Sequence, residues 1–471
     1  MKNLLYLFII LVGLSSCEDE FEYVFDKTPT ERKAEANNEL TEELAESEFG
    51  WTTTLIVGTS PMPLMGDRIT FNFERNGEEN NGIVSMTSAY GSAESEFAIS
   101  SEGGSVLRFL TPNEVLYWLI NPSGYDPKAP TGFGADMEYI YTGTMDGKLH
   151  FRGKSKDVTM ILEKATEKDV NYTRANELRD LYNSTASANF RFLEITGGID
   201  GATEENPQYA RIEDPSYAKY FKEELKTRFY SFLHMYKGKR VKGNASSYIF
   251  TNEGIIFADP LVIGDKTIST IEYNEELDEW TIADEDITGK FITAELPLVA
   301  TPGIVDLYIN EFFGKTRVGI QGMMVDDYYA AGPIKDFLEA NYSNYDAPRL
   351  NRLRLVNNFI SPDTGENLGS GLVNLDYDGI LFAFVPLKME KLGENTIRFT
   401  RDGDIITTIT GAAEKMNTDE NLVGAIDLLC DEEGWMIGCD IIEANGNMYY
   451  DCRFFQVKNP ENQMEHMGVV E

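Results

Sequence analysis

Between Trp51 and Lys164 apolar side chains recur at every second position, and short turn signals separate the runs. Ile69, Phe71 and Phe73 alternate with Thr70, Asn72 and Glu74; Leu149 and Phe151 flank His150; Val158, Met160 and Leu162 flank Thr159 and Ile161. A period of two belongs to strands that bury one face and wet the other. The clusters Arg75-Asn-Gly-Glu78, Asn80-Asn-Gly82 and Asp146-Gly147 suit tight antiparallel connections. No helix-length segment separates the runs, which argues against a parallel sheet. The spacing of turn signals predicts an antiparallel meander of about eight strands.

Helices frame this block. Thr28-Pro29-Thr30-Glu31 is a capping box with proline at the first helical position, and it predicts a helix to Phe49, stopped by Gly50. Ala36, Leu40 and Leu44 make a thin apolar stripe, suited to lying across a sheet. A helical stretch is expected over 168–188. A second is expected over Ser216–Lys237, where Phe221, Leu225, Phe229, Phe232 and Tyr236 share a face and His234 points to solvent. Strands resume over Ser247–Phe257 and run on through Trp280 to Leu298 and over Val305–Phe313. A short helix over Pro333–Tyr342 precedes a boundary at Pro348, and Leu350–Glu471 is again strand-rich. The expected organisation is a leader at 1–16, an acidic tether at 17–28, a helix plus meander at 29–165, a second β domain at 166–347 and a C-terminal β domain at 348–471. The fold class is mainly β with some helices, in antiparallel meander, barrel-like or sandwich domains.

At the N-terminus, Lys2 precedes an apolar run from Leu4 to Leu14, far short of the roughly twenty residues a membrane span needs. It reads as a signal peptide. Leu14-Ser15-Ser16-Cys17 resembles a bacterial lipobox, which makes Cys17 the expected site of a covalent diacylglycerol and the first residue of the mature chain. Glu18, Asp19 and Glu20 resemble the acidic signal that sends such lipoproteins to the cell surface. Acyl chains contribute roughly 0.8 kcal/mol per buried methylene, enough in combination for stable anchoring.

Acids number 78 against 41 bases, a net charge of −37. Such a surface repels nucleic-acid phosphates and excludes that class of partner. Beyond Cys17 the cysteines are Cys430, Cys439 and Cys452. Asn445-Gly446 is a strong two-residue hairpin signal between Trp435–Ala444 and Asn447–Val457. Counting outward from Ala444 opposite Asn447 places Cys439 opposite Cys452, in a non-hydrogen-bonded pair with Cα atoms about 4.5 Å apart. A Cys439–Cys452 bridge is expected, with Cys430 left over; the alternative is three buried thiols.

Catalytic signatures are missing from the sequence. His150, His234 and His466 are far apart, with no His-Glu-x-x-His spacing. Asp284-Glu-Asp286 and Asp326-Asp327 lack the glycine and terminal glutamate of a calcium loop. There is no Gly-x-Ser-x-Gly elbow or phosphate loop. Paired carboxylates about 5–9 Å apart are inevitable in so acidic a chain and so carry no weight. No metal, no catalytic residue and no cofactor besides the lipid is therefore expected, and binding remains. Aromatic clusters that could form a platform for peptide or glycan are Tyr117-Trp118, Tyr139 with Tyr141, Tyr449-Tyr450 and, least core-like, Asp326-Asp327-Tyr328-Tyr329. Lys237-Gly-Lys-Arg-Val-Lys242 inverts the local charge. It suits either an acidic partner or glycan, or the C-terminus of the expected helix.

Taken in order, Phe25-Asp-Lys-Thr-Pro-Thr-Glu-Arg32, Phe49-Gly-Trp51, Ile69-Thr-Phe-Asn-Phe73, Val106-Leu-Arg-Phe109, Leu149-His-Phe-Arg-Gly-Lys154 and Gly254-Ile-Ile-Phe-Ala-Asp-Pro-Leu261 resemble one family. It is an uncharacterised family of Bacteroidota surface lipoproteins, a domain of unknown function often encoded beside SusC/SusD-type importers, and the resemblance spans roughly residues 21–345. It implies a location on the outer membrane and an accessory role beside a TonB-dependent nutrient importer, and it assigns no catalytic residue. A structural subunit of an outer-membrane complex and a carboxylate-dependent hydrolase are the other expectations.

Overall fold

The computed structural model describes residues 26–58, 64–120, 133–214, 228–307, 309, 324–325, 330–331, 352–356, 359–375, 382–408, 413–418, 420–444 and 447–470. The chain divides into two compact units, one of residues 1–57, 68–121 and 134–171, the other of residues 58–67, 122–133 and 172–471. The architecture is mainly antiparallel β with a few helices, as the alternation and turn signals predict. No helix among the described residues is long and apolar enough to cross a membrane.

The first unit is a closed barrel of eight strands: β1 (Trp51–Val57), β2 (Met65–Arg75), β3 (Asn81–Ser88), β4 (Gly91–Ser101), β5 (Ser105–Phe109), β6 (Glu138–Met145), β7 (Lys148–Gly153) and β8 (Thr159–Lys164). Closure is antiparallel, with Trp51 opposite Lys164. Phe71 and Phe109 stack at 5.8 Å, and Phe73 meets Phe97 edge-on at 5.0 Å, within a fully buried core. Helix α1 (Pro29–Ala45) starts at the expected capping box: Glu31 N–H donates to Thr28 Oγ1, and Thr28 N–H to the Glu31 carboxylate. It ends four residues earlier than expected, and the chain turns at Gly50 (φ +74°), where a β-carbon would collide with the Phe71 carbonyl. The helix covers one barrel end. Asn37 bridges Ser101 and Ser105, Thr41 bonds Asn80, and Trp51 Nε1 donates to Leu44 O, while Leu40 and Leu44 are buried beneath.

A second closed ring is built from β9 (Phe190–Gly197), β10 (Gln208–Glu213), β11 (Phe229–Tyr236), β13 (Ser246–Phe250), β14 (Gly254–Ile263), β15 (Lys266–Asn274), β16 (Glu279–Ile282) and β17 (Thr288–Ala294), with β12 (Lys239–Lys242) appended to β11. Helix α2 (Thr173–Ser184) inserts Tyr182 into the ring. Its side chain touches Tyr248 and Phe250 of β13, Trp280 of β16 and Phe291 of β17, which lie around the wall. The two buried hydroxyls of Tyr182 and Tyr248 share a 2.9 Å hydrogen bond. The Arg191 guanidinium stands 5.8 Å over the Tyr182 ring and is paired at 2.6 Å with Asp214.

The remaining strands form a ten-stranded antiparallel half-barrel. Its core holds Ile397, Phe399, Trp435, Ile437 and Phe454, with the helix Glu420–Leu429 against it; Trp435 Nε1 donates to Leu429 O at 2.8 Å. The hairpin Trp435–Ala444 with Asn447–Gln456 has the expected register, Ala444 opposite Asn447. Both the 166–347 and the 348–471 segments contribute to the second unit.

Three expectations are corrected. The helix over Ser216–Lys237 is strand β11 from Phe229 onward, because both of its faces are buried. Tyr230 and Phe232 pack inside the ring, and Leu233 packs outside with Phe190, Phe192 and Phe455. Such a strand has no wet face and so no alternation, and its aromatics also satisfy a helical spacing. His234, expected in solvent, is only 4% exposed for the same reason. The strand over Val305–Phe313 begins as a helical turn, Ile304–Leu307. The helix over Pro333–Tyr342 and the boundary at Pro348 lie outside the described residues.

Tyr182→Ala should remove the plug of the second ring and lower stability by about 3–5 kcal/mol, as for other large aromatic deletions. Urea titration followed by tryptophan fluorescence measures this. A midpoint unchanged from wild type would show that the ring does not depend on Tyr182.

Candidate functional site

The second ring is irregular at two places: β17 slips against β9 between Thr288 and Gly289, and the wall splits around β13. One edge of β11 is shared by β12, which pairs with Leu233–Tyr236, and by β13, which pairs with Phe229 and Tyr230. β14 pairs with β13 only through Ile255–Phe257, and its register with β15 slips between Ile256 and Leu261. Pro260, with no N–H to donate, lies in that bulge. The edge of β13 that β14 leaves is taken by residues 64–66. Leu64 bridges Ser246 in parallel, Ser247 N–H donates to Leu64 O at 3.0 Å, and Gly66 N–H donates to Ser247 Oγ at 2.8 Å. From inside, the Tyr230 hydroxyl donates to Asp259 O at 2.8 Å and accepts from Asp259 N–H at 3.1 Å, replacing the missing ladder bonds.

Burial raises the Tyr230 hydroxyl above its usual range, raises the Asp259 carboxyl, and lowers the His234 imidazole, so tyrosine and histidine are neutral here. Tyr230 is already committed to the backbone of Asp259, a supporting role rather than that of a nucleophile. Among the described residues no group of three or more His, Cys, Asp or Glu is arranged to hold a metal ion.

Beside this split stands the basic segment. Lys237 (φ +48°) and Gly238 (φ +72°) form a two-residue turn between Tyr236 and Lys239, so the bases occupy a β-hairpin and not a helix end. Arg240 and Lys242, two positions apart on β12, share a face of the strand. Arg240 Nη1 donates to Cys439 O at 2.5 Å, and Lys242 pairs at 3.0 Å with the buried Glu213. The Lys237 ammonium lies 5.1 Å over the Tyr236 ring, and Lys239 is exposed. Neither Lys237 nor Lys239 has a carboxylate partner among the described residues. Two cations thus stand at the hairpin's tip without a described carboxylate, in a chain of net charge −37.

The other sequence candidates distribute as follows. Cys17, Glu18, Asp19, Glu20, Asp326, Asp327, Tyr328 and Tyr329 lie outside the described residues. Cys439 and Cys452 stand directly opposite each other, their sulfurs 2.7 Å apart. All four tryptophans are buried, as is Tyr139, so these aromatics are core and not platform. Tyr141 is half-buried against Phe151. Asp284 accepts from the backbone N–H groups of Ser269 and Thr270, the bonding of a structural turn acid. The split wall was missed in the sequence; Asp259-Pro260 inside an apolar run was the available signal.

Two outcomes test this site. Tyr230→Phe should cost about 1–3 kcal/mol by leaving the backbone of Asp259 unsatisfied, read as a lower urea midpoint; an unchanged midpoint would mean the bulge closes without it. His234 has its proton affinity lowered on folding from the ordinary value of 6.5, so the unfolded chain takes up the proton first. Stability from this group is therefore full above that value and is lost as pH falls below it. Melting temperature between neutral and mildly acid pH should drop more in wild type than in His234→Leu; equal drops would remove His234 as the cause.

The family model of a domain of unknown function, DUF4302, matches residues 21–275. That is shorter at its C-terminal end than the 21–345 expected from resemblance, and it stops within one residue of β15, before β16 and β17 complete the second ring. No curated protein and no solved structure matches the chain. With more than half of its 471 residues matched, the chain belongs to the DUF4302 family of domains of unknown function.

Proposed function

We propose that this protein is a lipid-anchored, surface-exposed lipoprotein of the outer membrane that acts without catalysis beside a nutrient importer of the SusC/SusD type, assisting capture of a peptide or glycan. The observation that carries the reading is the run from Leu4 to Leu14 closed by Leu14-Ser-Ser-Cys17 and followed by Glu18-Asp19-Glu20. A short apolar leader ending in a lipidation cysteine requires an exported protein, and the acids address it outward. The described core supports binding over carriage, because the ring interiors are occupied by aromatic side chains. A ligand or partner then meets the outer surface. The Lys237–Lys242 hairpin is the described surface feature best suited to an acidic face of a partner protein, since no described carboxylate pairs with Lys237 or Lys239.

Cys17→Ala should release the protein from the membrane fraction of its native host, and a protease added to intact cells should degrade the wild type. Retention of the variant in membranes, or full protection of the wild type, would overturn the anchoring or the surface exposure respectively. A mild-detergent pull-down of the full-length protein should recover an importer pair. Lys237→Glu with Lys239→Glu should reduce that recovery about tenfold or more at physiological salt, a loss of about 1.4 kcal/mol or more. Equal recovery would remove the hairpin from the interface, and recovery of the protein alone would count against the importer role.

A further inference from the structure

The hairpin that carries Cys439 and Cys452 is also the element on which the second ring rests. Cys439 and Cys452 are opposite each other, five paired positions out from Ala444 and Asn447. Antiparallel alternation makes theirs a close, non-hydrogen-bonded pair, within the Cα separation a disulfide spans. Both side chains are buried, in the core that contains Trp435 and Phe454.

The backbone at the same position faces the ring. Cys439 O accepts from Arg240 Nη1 at 2.5 Å and from Thr301 Oγ1 at 3.1 Å. Gly438 lies against Pro297, where a β-carbon would come within 3.1 Å of the proline side chain. On the partner strand, Phe455 meets Phe190 of β9 edge-on at 5.0 Å. The cysteine pair thus sits behind the strand positions that β9, β12 and the 297–301 segment grip.

We propose that Cys439 and Cys452 are joined by a disulfide, and that this bridge fixes the face on which the second ring and, through Arg240, its basic hairpin are seated. The bridge rests on the export reading above for its oxidising surroundings. Each thiol gives up its proton; one thiolate attacks the sulfur of a disulfide-bearing oxidant, and the second displaces it. Two electrons pass to the oxidant, whose disulfide leaves as two thiols, and one sulfur–sulfur bond forms in the hairpin. Cys430 does not compete. Burial, reinforced by the nearby Asp427 carboxylate, pushes its thiol up to about 12, so it stays protonated and a poor nucleophile. Because both partners are buried, the bridge forms while the strands assemble and resists reductants afterwards.

The test uses the purified full-length protein. It is unfolded, refolded with oxidised glutathione, alkylated under denaturing conditions without reductant, then reduced and labelled with a second alkylating reagent before peptide mapping. Cys430 should carry the first label, and Cys439 and Cys452 the second. First label on all three cysteines overturns the bridge, and this outcome does not depend on where the protein resides in the cell. Bridge formation in the tube together with free thiols in protein isolated from its host supports the geometry and counts against the export reading alone. For the second half of the proposal, hydrogen exchange is compared between oxidised protein, protein refolded and kept in reductant, and the Cys439→Ala/Cys452→Ala variant. Amides of 239–242 and 298–301 should exchange at least several-fold faster in the latter two. If the bridge is present and those amides exchange at the same rate in all three forms, its role in seating the ring is overturned.

Discussion

Closing an antiparallel sheet on itself removes both of its edges, but it also creates an interior that must be filled. At eight strands that interior is just wide enough for side chains and too narrow to leave empty without cost. The first ring fills from its own strands, with Phe71, Phe73, Phe97 and Phe109 in mutual contact, and α1 adds Leu40 and Leu44 at one end. The second ring cannot complete its packing from its own strands and takes Tyr182 from the preceding helix. Placing a tyrosine there brings a hydroxyl that must be paired, which Tyr248 supplies, and a ring face on which the Arg191 cation settles. Helix α2, the wall and the buried polar pair are consequences of one volume to be occupied.

Filled interiors direct function outward. Chemistry open to solvent is found where the wall departs from regularity and where hairpins project. In the second ring these coincide. β12 pairs with β11 alone, beside the closed wall, as a short edge strand with lysines on it. Lysines on a short edge strand also discourage indiscriminate strand pairing. One set of residues can serve both as protection for the edge and as an electrostatic contact.

The parts of the fold legible in the sequence are those where one face is dry and the other wet. β2, β7 and β8 declare themselves by alternation, and Asn445-Gly446 fixes the cysteine hairpin to the exact pair, because a two-residue turn leaves no freedom of register. β11 was illegible. It is buried by the ring on one side and by Phe455 and its neighbours on the other, so the periodic signal vanished and a helix fitted equally well. His234 and the basic run were misplaced with it. The split wall is legible only in part: Asp259-Pro260 marks its bulge, but the segment that fills it depends on Gly66 meeting Ser247, 181 positions later, and no local pattern encodes such a meeting. The proposed lipobox rests on the order Leu14-Ser-Ser-Cys17 alone and owes nothing to the fold.

The segment at 64–66 has a consequence for inheritance. A gene fragment beginning at Tyr172 would encode every strand of the second ring and still produce an incomplete wall, with Ser247 N–H left to find water in place of Leu64 O. During synthesis the early piece is made first and waits for β13 to emerge. Recombination that exchanged either half alone would separate the two partners. The span the family model matches, 21–275, contains both of them, so passing on that span keeps the pair together.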